Sequence, residues 1–85
     1  MLTFTLYSRA YCHLCHEMQM AFEGLKLAVP HRLDVIDVDA HPKLVERYDE
    51  LVPVLTGARP NQPSVQLCHY LLDAAAVERF VVESK

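Results

Sequence analysis

Hydrophobic and polar residues alternate at the start of the chain and then change period. Leu2, Phe4 and Leu6 are separated by single threonines, which is the period-two pattern of a β-strand. From residue 14 onward, apolar residues recur every three or four positions, as they do on one face of a helix. These residues are Leu14, Met18, Ala21, Phe22, Leu25, Ala28 and Val29. The pattern therefore predicts a strand followed by an amphipathic helix.

The middle of the chain predicts a second strand and a second helix. Residues 32–38 carry apolar side chains on both parities, which is typical of an interior parallel strand covered on both faces. Pro42 suits the first position of a short helix, because the N–H that proline lacks would be unpaired there. Leu44, Val45 and Tyr48 give that helix one apolar face.

The last third of the chain predicts a hairpin and a closing helix. Residues 51–56 form a β-rich run with a proline near its start, and residues 57–63 contain the glycine, prolines and asparagine of a loop. Residues 64–70 alternate again and fit the second arm of an antiparallel hairpin. Asp73 is placed to cap a final helix. The buried face of that helix is formed by Ala74, Val77, Phe80 and Val81.

Two cysteines lie at the junction between the first strand and the first helix. The amino end of a helix presents unpaired N–H groups and partial positive charge, so it favours the thiolate form of a cysteine such as Cys12. Cys15 follows three residues later, at a spacing that places neighbouring Cβ atoms roughly 5 to 6 Å apart on a helix. Such a pair can close a disulfide with little backbone movement. We therefore expect an attacking thiol with a resolving thiol behind it.

Length and charge limit the function. The 85 residues suit one domain spanning residues 1–85. The formal net charge of −3 argues against a nucleic-acid groove built from lysine and arginine. The apolar stretch of residues 1–6 is too short and too interrupted for a signal peptide or a membrane-spanning helix. We expect no nucleic-acid partner and no membrane association.

The cysteine count predicts a reducing compartment. Three cysteines leave one unpaired, and a disulfide between close neighbours would constrain almost none of the chain. This is a poor arrangement for a secreted fold held together by disulfides. We therefore expect a cytoplasmic protein in which Cys12 and Cys15 cycle between dithiol and disulfide.

These features together resemble the glutaredoxin branch of the thioredoxin fold. The resemblance rests on the predicted order β-α-β-α-β-β-α, on Cys-x-x-Cys after the first strand, and on the Val-Pro-Val of residues 52–54. The stretch Tyr-Ser-Arg-x-x-Cys-His-Leu-Cys over residues 7–15 is most similar to small bacterial glutaredoxin-like proteins. The resemblance covers nearly the whole chain. It implies an α/β, thioredoxin-like three-layer fold, with a four-stranded mixed sheet flanked by helices.

The resemblance also implies roles for individual residues. Cys12 would be the nucleophile and Cys15 the resolving thiol. Pro53 would be the cis-proline that faces the cysteine pair, and Val52 would pair through its backbone with a bound peptide or glutathione. Where glutathione-using glutaredoxins carry Gly-Gly after the fourth strand, this chain has Tyr-Leu-Leu-Asp at residues 70–73.

The activity implied by the resemblance is thiol–disulfide exchange. We expect a monomeric enzyme that takes a protein or low-molecular-weight disulfide, with glutathione or a thioredoxin system as the reductant. The reaction needs no organic cofactor and no metal, although glutathione could serve as a co-substrate.

Polar side chains around the cysteines have two interpretations each. Arg9 is either a solvated loop residue or a cation that lowers a thiol pKa and meets an acidic substrate. Tyr11 either lines the substrate groove or packs against the fold. His13 and His16 are either exposed polar residues or imidazolium groups that stabilise the thiolate of Cys12.

Two other function classes remain open from the sequence. The same cysteines could bind zinc or an iron–sulfur cluster shared between two chains, although His13 and His16 cannot both point where the two sulfurs point. The chain could also be a partner-binding domain without activity. Cys68 fits a small core residue. Asp37 and Asp39 fit turn formers, and a carboxylate behind Cys15 could take its proton.

Overall fold

The computed structural model describes residues 1–84 of the chain. Within these residues the elements are β1 (Leu2–Ser8), α1 (His13–Gly24), β2 (His31–Asp37), a 3₁₀ turn (Val38–Ala40), α2 (Pro42–Tyr48), β3 (Val54–Ala58), β4 (Val65–His69) and α3 (Ala74–Glu83). This order confirms the predicted α/β fold class. No helix among the described residues is both long enough and apolar enough to cross a membrane.

The four strands form one mixed sheet in the order β2-β1-β3-β4. β1 and β2 are parallel, with Ser8 opposite Asp37 at their carboxyl ends. β1 and β3 are antiparallel, with Tyr7 opposite Val54, and β3 and β4 form the predicted antiparallel hairpin. The carboxyl ends of β1 and β2 and the start of β3 therefore meet at one end of the sheet.

Helices cover the sheet on both faces. Alternate residues of β1 point to opposite sides of the sheet, and residues on each side contact a helix. On one face, Phe4 is fully buried. Its ring centroid lies 4.9 Å from that of Phe22 in α1 and 5.8 Å from that of Phe80 in α3. On the other face, Tyr7 stacks on Tyr48 of α2 with centroids 4.6 Å apart. This gives the three layers that the resemblance implies.

The prediction of an interior second strand is wrong, because β2 lies at an edge of the sheet. The side chain of Val35 is 47% exposed there. Apolar residues at both odd and even positions of a strand indicate that both faces of the sheet are covered. They do not indicate which strands pair with β1. In this sheet β1 pairs with β2 on one side and with β3 on the other, so β2 lies at the edge.

The first helix is shorter than its apolar pattern predicts. α1 ends at Gly24, and glycine is a poor helix former, so the apolar residues at positions 28 and 29 lie outside it. Within the helix, Cys15, Met18 and Phe22 are buried. Leu14 and Ala21, predicted on the same apolar face, are exposed.

The third strand also begins and ends later than predicted. β3 starts at Val54 and continues through Gly57, which the sequence pattern assigned to a loop. The absence of a side chain at Gly57 has a packing reason, because a Cβ there would lie 2.8 Å from Cε2 of Phe80. The glycine thus admits the Phe80 ring to the core rather than forming a turn.

Candidate redox site

Cys12 is the N-cap of α1. Its backbone is extended, with φ −99° and ψ 106°, and its Sγ accepts a hydrogen bond from the backbone N–H of Cys15 at 3.1 Å. The sulfur thus occupies the place that a serine or aspartate oxygen takes in an ordinary N-cap. Negative charge on a sulfur at this position is stabilised by the free amides and by the helix dipole.

Cys12 and Cys15 form a disulfide. Their Cα atoms are 5.2 Å apart, within the usual range of about 4.4 to 6.8 Å. Cys15 is only 4% exposed, whereas Cys12 is partly exposed. A substrate can therefore reach the first sulfur more easily than the second.

An open cavity of about 540 Å³ lies over the cysteine pair. Its lining residues are Ser8, Arg9, Tyr11, Cys12, His13, Cys15, His16 and Gln19. The structure thus brings four of the predicted side chains together with the cysteines: Arg9, Tyr11, His13 and His16. Ser8 and Gln19 were missed. For Gln19 the signal was present, because a residue four positions after Cys15 shares its helix face.

Tyr11 presents its side chain to solvent immediately before the first cysteine. The side chain is fully exposed, at 107% of the reference value, so packing against the fold does not explain it. Its backbone has φ 58°, a left-handed conformation that is uncommon for residues other than glycine. Tyr11 is one of the residues that line the cavity, next to Cys12.

Val52 and Pro53 lie at the same end of the sheet as the cysteines. The peptide bond between them is cis. Because Val54 pairs with Tyr7, the register places Pro53 beside Ser8, where the chain leaves β1 for the cysteine loop. Neither Val52 nor Pro53 is among the described residues that line the cavity.

Arg9 is partly exposed, but its guanidinium is paired with carboxylates and is not a free cation. Its Nη2 donates to Asp49 Oδ1 at 2.8 Å and to Asp39 Oδ1 at 2.9 Å, and its Nε donates to Asp39 Oδ2 at 3.2 Å. The hydrogen bond to Asp49, and to a smaller extent the one to Asp39, raises the pKa of the Arg9 guanidinium above its ordinary value. The arginine links the end of β1 to the 3₁₀ turn and to Asp49, the residue that follows α2.

Asp37 has the turn-forming role that was expected of it. Its Oδ1 accepts a hydrogen bond from the backbone N–H of Asp39 at 2.9 Å, which caps the 3₁₀ turn. Asp39 itself lies in that turn and pairs with Arg9. Asp49 forms the second ion pair with Arg9. The sequence did not predict this pair, because the two residues are 40 positions apart.

The two histidines beside the cysteines are exposed. His13 Nε2 lies 3.0 Å from Glu17 Oε1, one helical turn away. Within residues 1–84, no group of three or more histidine, cysteine, aspartate or glutamate side chains is arranged to hold a metal ion.

Cys68 is separate from the cysteine pair, on β4. It is partly buried and packs against the main core cluster, as expected for a small core residue. Burial raises the pKa of its thiol above the ordinary value, so this sulfur is less reactive than an exposed cysteine near neutral pH.

The mixed four-stranded sheet with helices on both faces defines a thioredoxin-fold protein. The disulfide at the amino end of α1 is a redox-type cysteine pair within that fold. Residues 3–81 match the family described as "Glutaredoxin-like domain (DUF836)". The chain belongs to that glutaredoxin-like family. No curated protein matches the sequence.

Solved structures agree with this assignment. The solution structure of protein Ne2328 from Nitrosomonas europaea is 32% identical, with a TM-score of 0.77, covering 93% of this chain and 89% of that chain. Protein XcR50 from X. campestris is 24% identical, with a TM-score of 0.65, covering 96% and 99%. Oxidised mitochondrial thioredoxin 3 from Saccharomyces cerevisiae is 19% identical, with a TM-score of 0.71, covering 96% and 77%. The last two likenesses concern the fold alone.

Proposed function

We propose that this protein is a thiol–disulfide oxidoreductase in which Cys12 attacks and Cys15 resolves. The observation that carries the proposal is the position of the Cys12 sulfur, which caps α1 at 3.1 Å from the Cys15 amide and lines an open cavity. The amides that cap this sulfur stabilise its thiolate, which is the form that attacks disulfides. The partial exposure of Cys12 and the burial of Cys15 support the order of the two steps.

The reaction proceeds through a mixed disulfide. The Cys12 thiolate attacks one sulfur of the substrate disulfide, the substrate S–S bond breaks, and the other sulfur leaves as a thiolate that takes a proton from water. Cys15 then gives up its proton to water and attacks the Cys12 sulfur, and the bond between Cys12 and the substrate breaks to release the second substrate thiolate, which takes a proton from water. Two electrons pass from the protein to the substrate, and the Cys12–Cys15 disulfide remains.

The returning electrons come from an external thiol. Two glutathione molecules or a dithiol of the thioredoxin type would reduce Cys12–Cys15 by the same exchange chemistry in reverse. The substrate would be a protein disulfide or a low-molecular-weight disulfide, and the scheme uses no organic cofactor or metal. We propose that the protein works as a monomer in the cytoplasm, where such thiols keep cysteine pairs reduced.

Removing the resolving thiol tests the proposal. We expect Cys15→Ser to accumulate a mixed disulfide through Cys12 when it is treated with a disulfide, because the second step is blocked. Mass spectrometry of the intact protein and of its peptides would measure the adduct and its position. Cys68→Ser is the matched control and should resolve the adduct as the unmodified chain does. Absence of any Cys12 adduct in the Cys15→Ser protein would refute the assignment.

A further inference from the structure

We propose that the Arg9 cluster, formed by Arg9, Asp39 and Asp49, sets the charge preference of the redox site, so that cationic and neutral disulfides react faster than anionic ones such as glutathione disulfide. The inference rests on the proposed function, because it concerns the substrates of that reaction. It starts from Arg9, which lines the cavity over Cys12 and Cys15.

The guanidinium of Arg9 carries one positive charge, whereas the two carboxylates that contact it carry two negative charges. Two carboxylates contact it, at 2.8 Å from Asp49 and 2.9 Å from Asp39. The ion pairs therefore cancel the single positive charge and leave an excess negative charge. An anionic substrate that enters the cavity meets a cation that is already paired.

Other carboxylates near the cavity add to this excess. Asp37 is opposite Ser8, a cavity residue, in the β1–β2 register. Glu17 pairs with His13, another cavity residue, at 3.0 Å. Arg47 lies over the ring of Tyr48 at 5.2 Å, in the α2 layer of the fold, and is not among the described residues that line the cavity.

The contacts also hold the charges in place. The Arg9 side chain is only 28% exposed and makes three hydrogen bonds, including two to the carboxylate of Asp39. Such paired contacts orient a guanidinium more firmly than a single bond does. In this arrangement two carboxylates, of Asp39 and Asp49, lie against one guanidinium beside the cavity.

The test compares two small disulfides of opposite charge. The protein is reduced and freed of reductant, and its oxidation by cystamine, a dication, and by glutathione disulfide, a net dianion, is followed by acid quenching and thiol alkylation. We expect Asp49→Asn to lower the ratio of the cystamine rate to the glutathione disulfide rate about two- to fivefold at about 0.1 M ionic strength. We expect Arg9→Gln to raise the same ratio.

A matched control separates local charge from net charge. Glu83→Gln removes one negative charge beside Arg59, which follows β3 at the opposite end of the sheet. At about 0.1 M salt, interactions beyond about 10 Å are largely screened, so this variant should keep the original ratio. The differences between variants should disappear at about 1 M salt, where the screening length is about 3 Å.

The possible failures are distinguishable. If the unmodified protein is oxidised by neither disulfide, the proposed function is wrong. If it is oxidised by both, but Asp49→Asn and Arg9→Gln leave the ratio unchanged or shift it in the same direction, the Arg9 cluster only supports the fold and the inference is overturned. Urea denaturation of each variant confirms that the rates are measured on folded protein.

Discussion

Gly57 lies where the ring of Phe80 reaches across β3. A Cβ at this position would be 2.8 Å from Phe80 Cε2 and 3.2 Å from Leu67 Cδ1. The ring has little room to withdraw, because Phe4 lies 5.8 Å away and the Arg59 guanidinium lies 4.4 Å from its centroid. We expect Gly57→Ala to lower the free energy of unfolding by about 1 to 3 kcal/mol, as measured by urea denaturation.

Gly24 provides the control for that substitution. No atom lies within 4 Å of a Cβ built there, and the residue is the last one of α1. Gly24→Ala should leave the stability unchanged or raise it by up to about 1 kcal/mol, because alanine is the better helix former. Equal losses in the two variants would show that backbone freedom, and not the Phe80 contact, explains the glycine at position 57.

Individual residues could be predicted from the sequence where the signal was local. Cys12 and Cys15 stand three positions apart at the start of a helical pattern, and their pairing follows from that spacing. The carboxylate partners of Arg9 are 30 and 40 positions away, so no local pattern indicates them. Gly57 was assigned to a loop because residues 57–63 contain glycine, prolines and asparagine, and its contact with Phe80 depends on the tertiary fold.

At the level of elements, α3 depends on a side-chain cap. Asp73 Oδ1 accepts a hydrogen bond from the backbone N–H of Ala76 at 3.0 Å. We expect Asp73→Ala to reduce the free energy of unfolding by about 1 kcal/mol, because the amide loses its partner. Asp73→Asn keeps an acceptor oxygen and should cost less. Urea denaturation curves would show the difference, and an Asn variant as unstable as the Ala variant would contradict the role of the cap.

The elements that the sequence predicted well are those with a signal at their own ends. Asp73 and Pro42 mark the starts of α3 and α2, and both helices begin where those residues predict. The position of β2 at the edge of the sheet was not predictable from its own residues, because strand order depends on which strand pairs with the other side of β1. The exposure of Leu14 likewise depends on which elements cover α1.

For the molecule as a whole, two partly buried groups predict how the stability changes at alkaline pH. Burial raises the pKa of Cys68 above its ordinary value of 9.0 and that of Tyr7 above 10.0. Each group binds its proton more tightly in the folded chain than in the unfolded chain. The stability that this confers is complete below the ordinary values and is lost as the pH rises from them through the raised values.

We therefore expect the free energy of unfolding to decline with pH once the unfolded thiol begins to ionise. Urea denaturation over an alkaline pH series measures the slope. Cys68→Ala should flatten the first part of the decline, and Tyr7→Phe should flatten the later part. A stability that rises over the same interval would contradict the sign of both shifts.

The N-cap position of Cys12 couples the chemistry of the chain to its folding. The sulfur that changes bonds in each reaction cycle is also the group that accepts the Cys15 amide, and its strength as an acceptor depends on its charge. Any free energy that the thiolate gains from capping the helix must appear also as resistance to unfolding in the reduced protein. Calorimetry of the oxidised and reduced forms would therefore give the difference between the reduction potentials of the cysteine pair in the folded and in the unfolded chain.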